Sequence, residues 1–168
     1  VSITSRNNFT KTQIKMKIII AKDAGYCFGV RDAVDLAYDV ANSEGNVYML
    51  GDIVHNEKVI KDLDGAGAKV VESLDDIPAN SSVLFRAHGT KTKIWQNANK
   101  KNINVIDATC PLVHEIHKEV KLLSKDGRQI YVIGDHNHDE VVAIADQVPN
   151  TVIISNIKEA KSLKKVKK

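Results

Sequence analysis

Cysteine is scarce: the 168 residues hold two, Cys27 and Cys110, which stand 83 apart and form no CxxC pair. That spacing disfavours a zinc ribbon. Residues Val1 to Lys15 are polar and lack the apolar stretch of a secretory leader, so they read as an extension ahead of a natural start at Met16. Without a leader a structural disulfide is not expected, which leaves the thiols as buried bystanders or as ligands. No apolar run approaches the roughly 20 residues of a membrane span, so no membrane partner and a cytoplasmic location are expected. The net charge of +3 is too small to argue for nucleic acid. Much of the excess lies in the tail Lys161 to Lys168, which reads as a solvated end.

What is present is the composition of an ordinary globular protein, 43% hydrophobic and 27% charged. Short β-rich runs alternate with segments of helical period. Strands are expected over Lys17–Ala21, Val47–Leu50, Ala68–Val71, Val83–Arg86, Ile103–Ile106, Gln129–Ile133 and Val152–Ile154. Helices are expected over Arg31–Glu44, Asn56–Leu63, Thr92–Lys100, Pro111–Lys125 and Asp139–Gln147. Pro111 suits the first turn of its helix and Gly127 its end. This alternation predicts an α/β fold of parallel sheets covered on both faces.

An internal repeat is also written in the chain. Val47-Tyr48-Met49-Leu50-Gly51-Asp52-Ile53-Val54-His55-Asn56-Glu57 aligns with Ile130-Tyr131-Val132-Ile133-Gly134-Asp135-His136-Asn137-His138-Asp139-Glu140 at an offset of 83, the offset of the two cysteines. Asp23-Ala24-Gly25-Tyr26-Cys27 likewise resembles Asp107-Ala108-Thr109-Cys110. Tandem copies of one small α/β unit follow: an extension over 1–15, a first repeat domain over 16–109 and a second over 110–168. On that period the second copy runs past Lys168, so it is expected to be incomplete, with a third to follow.

The polar landmarks share a position. Cys27, His55, His88, Cys110 and His138 each follow a predicted strand and precede a predicted helix, the edge of a parallel sheet where ligands bind. Helix N-termini there favour anions such as phosphates. One cysteine per repeat suits a soft metal bound by thiolate, and three repeats would supply three ligands to an iron–sulfur cubane. Imidazoles at the same edge donate hydrogen bonds to phosphate oxygens. His114 and His117, three apart on one helix, are expected on a solvated helix face, and no role is assigned to His136. Glu140, at the start of a helix, is a candidate proton donor. Glu57, its counterpart in the first copy, reads as an ordinary first-turn acid.

These residues are similar to the motifs of the hydroxymethylbutenyl diphosphate reductase family. The carriers are Ala24-Gly25-Tyr26-Cys27-Phe28-Gly29-Val30, Val54-His55-Asn56, Arg86-Ala87-His88-Gly89, Asp107-Ala108-Thr109-Cys110-Pro111 and His138-Asp139-Glu140-Val141, in the family's order. The resemblance implies three α/β domains in pseudo-threefold arrangement around a [4Fe-4S] cluster, the third absent from this chain. It implies Cys27 and Cys110 as cluster ligands, His55, His88 and His138 as diphosphate-binding residues and Glu140 as the catalytic proton source. It implies ferredoxin or flavodoxin as electron donor, and a cytoplasmic or plastid-stromal setting. It further implies reductive dehydroxylation of 4-hydroxy-3-methylbut-2-enyl diphosphate to isopentenyl and dimethylallyl diphosphate. Asp139 stands where the family usually carries proline, and Thr90 where an apolar residue is expected. Lacking a third cysteine, the chain is expected to be inactive alone, and its first strand, which in the family packs on the third domain, to lack support. A zinc hydrolase using His, Cys and Glu, and a non-catalytic α/β module with inert cysteines, are the competing readings.

Overall fold

The computed structural model describes residues 16–43 and 47–163. Four parallel strands, β1 (Val47–Leu50), β2 (Ala68–Val71), β3 (Ser82–Phe85) and β4 (Asn104–Asp107), form one sheet in the order β2-β1-β3-β4. Helices α1 (Phe28–Ser43), α2 (Glu57–Gly65) and α3 (Thr92–Lys100) cover it. Helix α4 (Pro111–Lys125) then leads to a two-stranded parallel sheet, β5 (Tyr131–Ile133) and β6 (Val152–Ile154), joined through α5 (Asp139–Ala145) and followed by α6 (Ile157–Ser162). No helix among the described residues is long and apolar enough to cross a membrane.

The strands work by alternation. Val47 and Met49 of β1 and Leu84 of β3 face the cluster built with Ala33, Ala37 and Val40 of α1 and Leu63 of α2. Leu50, Val83 and Phe85 point the other way, onto Ala98 of α3 and onto Leu74 and Ile77. Period-two apolar residues on both sides are what a sheet covered on both faces requires. Met49, Leu63 and Phe85 are fully buried, each worth roughly 1.5–3 kcal/mol of apolar transfer. Beneath α4 and α5 the buried cluster is smaller: Val120, Ile130 and Ile144.

The expected strand at Lys17–Ala21 is not formed; residues 16–21 have no regular structure and Ile18, Ile19 and Ile20 are exposed. Neither sheet pairs with them, and a lone strand has nothing to satisfy its backbone. Helix α1 begins at Phe28 rather than Arg31, because Gly29 lies inside its first turn rather than in the preceding loop. The end expected at Glu44 lies outside the described residues. Strands β3 and β4 are displaced by one residue from Val83–Arg86 and Ile103–Ile106, which frees Arg86 from the sheet. β5 begins at Tyr131 and α5 ends at Ala145, both shorter than expected. A 3-10 turn, Leu74–Asp76, and α6 are additions to the expected elements; each is opened by a capping side chain, Ser73 and Asn156.

The two sheets share a register. In the first, Tyr48 faces Lys69 and Leu50 faces Val71; in the second, Tyr131 faces Val152 and Ile133 faces Ile154, each residue 83 positions on. The hydrogen bond from Gly51 N to Val71 O recurs from Gly134 N to Ile154 O. α1 and α4 begin 83 residues apart, as do the 3-10 turn and α6.

Candidate functional site

Three strand ends bring three imidazoles together. His55 follows β1, His88 follows β3, and His138 is the N-cap of α5. The rings of His55 and His88 stack at 4.2 Å, and that of His138 lies 5.7 Å from the first and 5.9 Å from the second. His88 is half-buried, and its Nδ1 has no hydrogen-bond partner among the described residues. Burial, followed by the neighbouring His55, pushes its pKa down to about 4. Its ring is therefore neutral near pH 7.

Beside the imidazoles lies an ion pair. Arg86 donates from Nε to the carbonyl of Leu50, at 3.1 Å, and from its guanidinium to Asp139 Oδ2 at the start of α5. The turn at Gly51 makes room for this, since a Cβ there would strike the guanidinium, and its φ of +68° suits glycine. One ligand atom from each of His55, His88 and Asp139 lies within 4.8 Å of the other two. A cleft of about 550 Å³ is lined by Arg86, Gly89, His136, Asn137 and Asp139 among others. The three clustered imidazoles do not line it, so Asp139 borders both features.

The cysteines sit at the starts of the two equivalent helices. Cys27 immediately precedes α1 and is exposed; Cys110 is the N-cap of α4 and is partly buried. Both thiols are free, and Cys110 makes no side-chain cap hydrogen bond. Cys110 Sγ rests against Gly29, two residues past Cys27, in the space a Cβ would fill. The two helix starts are thus held close by an absent side chain. Glu140 lies in the first turn of α5, partly buried, while Glu57 is exposed in the first turn of α2.

The expectation of a solvated face for His114 and His117 fails for the second. His117 is buried, with Nε2 unpaired among the described residues, and its ring lies under Gly89, next to His88. The inward stripe of α4 carries Val113, His117 and Val120, so helical period would have placed it inside. His114 pairs with Asp107 at 3.0 Å, and His136 with Glu159 at 3.0 Å. Thr90 is buried, as the apolar residue expected there would be. Sequence reasoning passed over Arg86 and Asp139 as site residues, although both stand inside the motifs that carry His88 and His138.

Comparison with known proteins places the chain in a family. Residues 18–168 match the family model described as LytB protein. A relative from Geobacter sulfurreducens, named 4-hydroxy-3-methylbut-2-enyl diphosphate reductase, is 38% identical over 154 residues, covering 91% of this chain and 54% of its own. One of the same name from Clostridioides difficile is 38% identical over 140 residues, covering 83% and 50%. Among solved structures, the E-1-hydroxy-2-methyl-but-2-enyl-4-diphosphate reductase from Plasmodium falciparum superposes with a TM-score of 0.81 at 32% identity, over 86% of this chain and 46% of that one. A second, described as the terminal enzyme of the non-mevalonate pathway, gives 0.74 at 33% identity, over 84% and 52%. The chain spans about half the length of the relatives it matches.

Proposed function

The chain belongs to the LytB family, and on that premise we propose that it carries the diphosphate-binding and part of the cluster-binding apparatus of a 4-hydroxy-3-methylbut-2-enyl diphosphate reductase. The observation that supports this most directly is the meeting of His55, His88 and His138 from three separate strand ends. Burial, and then the neighbouring His55, disfavour a proton on His88, and a bound anion offsets that while accepting N–H groups from the three rings.

Cys27 and Cys110 fit two ligands of a [4Fe-4S] cluster: both are free, both open a helix whose first amides can donate to sulfur, and Gly29 leaves the space for Cys110 Sγ. Such a cluster would pass on two electrons, drawn from a ferredoxin or flavodoxin. The overall change replaces the allylic hydroxyl by hydrogen, consuming two electrons and two protons and releasing water, to give isopentenyl or dimethylallyl diphosphate. Glu140, two residues past His138, supplies a proton. Residues 16–109 and 110–168 act as two copies of one unit, with a third completing a pseudo-threefold arrangement, and the setting is cytoplasmic. A zinc hydrolase using His, Cys and Glu fits less well, because among the described residues the ligand atoms close enough to share an ion are those of His55, His88 and Asp139, with neither thiol nor Glu140 among them.

The test is calorimetric titration of inorganic pyrophosphate into this 168-residue protein, in low salt with a chelator present. Binding is expected, and replacing any one of the three histidines by Gln should weaken it by about tenfold or more. A triple His→Gln variant that binds as tightly as the parent would sink the diphosphate reading.

A further inference from the structure

We propose that His55, His88 and Asp139 form a site for one divalent first-row transition ion of the zinc or cobalt class. The proposal does not rest on the diphosphate reading, although it uses two of the same imidazoles.

The donor set is the first support. Two imidazoles and a carboxylate, with one position left for water or a phosphate oxygen, make a common catalytic zinc coordination. Their ligand atoms already lie within 4.8 Å of one another. Tetrahedral donors on one such ion stand about 3.4 Å apart, so side-chain rotations that draw the three atoms in by up to about 1.4 Å close the site. Two neutral rings, one carboxylate and the paired Arg86 guanidinium leave the loaded site positive, suited to an anionic fourth ligand.

The surroundings are those of a supported site. Two donors come from the loops that follow β1 and β3, and one from the first residue of α5. The Asp139 carboxylate is held at Oδ2 by Arg86, which leaves Oδ1 for an ion, and Arg86 is itself anchored on the Leu50 carbonyl. Metal-bound carboxylates are commonly held in this way by a second hydrogen-bonding partner. His88 spends no hydrogen bond on Nδ1 among the described residues, so its ring is not committed to another partner through that atom. The alternative is that Asp139 is only a first-turn acid of α5 that neutralises Arg86. That account explains the ion pair, and an anion site explains the meeting of the imidazoles, but neither explains a carboxylate standing within 4.8 Å of two imidazole nitrogens.

Cobalt titration into the 168-residue protein carrying Cys27→Ser and Cys110→Ser, without phosphate, reads the site directly. One equivalent of cobalt should produce intense visible d–d bands without thiolate charge transfer. Asp139→Pro should weaken binding by about tenfold or more, with unchanged far-ultraviolet circular dichroism, because proline is tolerated at a first helical position. Asp139→Asn and His55→Gln should do the same, and His138→Gln should leave the bands in place. No bands in the parent, or equal affinity in the Asp139 and His55 variants, overturns the proposal. Pyrophosphate binding in chelator is measured separately, so either reading can fail while the other stands.

Discussion

Leu50 and Ile133 occupy the same place in the two copies of the repeat, yet one is 6% exposed and the other 84%. Both end the first strand of a parallel pair, both face the matching residue of the second strand, and both are followed by Gly-Asp. What differs is the company. β1 lies between β2 and β3 and has helices on both faces, whereas β5 has one neighbour and an open face. Register is thus a property of the local unit, while burial is a property of what surrounds it. A two-stranded sheet is marginal by itself, and β5 and β6 depend on α4 and α5 for their cover.

The strongest way to break the comparison is to cut into each core. Phe85→Ala should lose about 3–5 kcal/mol of stability, read by urea unfolding, while Ile133→Ala should change it by no more than about 0.5 kcal/mol. Comparable losses would mean that the second sheet is as enclosed as the first. Gly29→Ala probes the seam where the equivalent helices α1 and α4 meet. The new methyl group must displace Cys110, and about 1–3 kcal/mol of overpacking is expected. A neutral result would show that the two helix starts part freely.

Finer still are the two equivalent caps. Asn156→Ala and Ser73→Ala each remove an acceptor at a helical start, at about 1 kcal/mol. Amide exchange should quicken through α6 in the first variant and stay local to the 3-10 turn in the second. The last effect is electrostatic. His88, and His117 under the neighbouring turn, are held neutral by burial, and His88 titrates near 4. As pH falls below the ordinary 6.5 the unfolded chain takes up protons first, so stability is complete above that value and is lost toward pH 4. The urea midpoint should be lower at pH 5 than at pH 7, and His88→Gln should reduce the difference; identical midpoints at both pH values contradict this.

Much of the fold is legible in the sequence because its signals are local. The strands β1, β2 and β6 and the helices α3 and α4 fall where period and turn residues put them. The 83-residue offset between the two Tyr-x-x-Gly-Asp motifs is the same offset found in the pairing register. The failures are non-local. Lys17–Ala21 has a strand's composition and no neighbour to pair with. Gly29 has a turn residue's identity, and the reason it stands inside a helix is Cys110, far along the chain. His117 shares a helix with charged neighbours, and the surface that covers it, Gly89, is also distant in sequence. Arg86 and Asp139 carry no joint signal, because an ion pair between a strand end and a helix start has no spacing rule.

His117 invites a geneticist's view. Its Nε2 has no partner among the described residues, yet its ring props the glycine that follows His88. Substitutions at 117 would therefore score in a random-mutagenesis screen as ligand-binding defects, and suppressors would be sought at Gly89 and Ala143, whose atoms share the same small space.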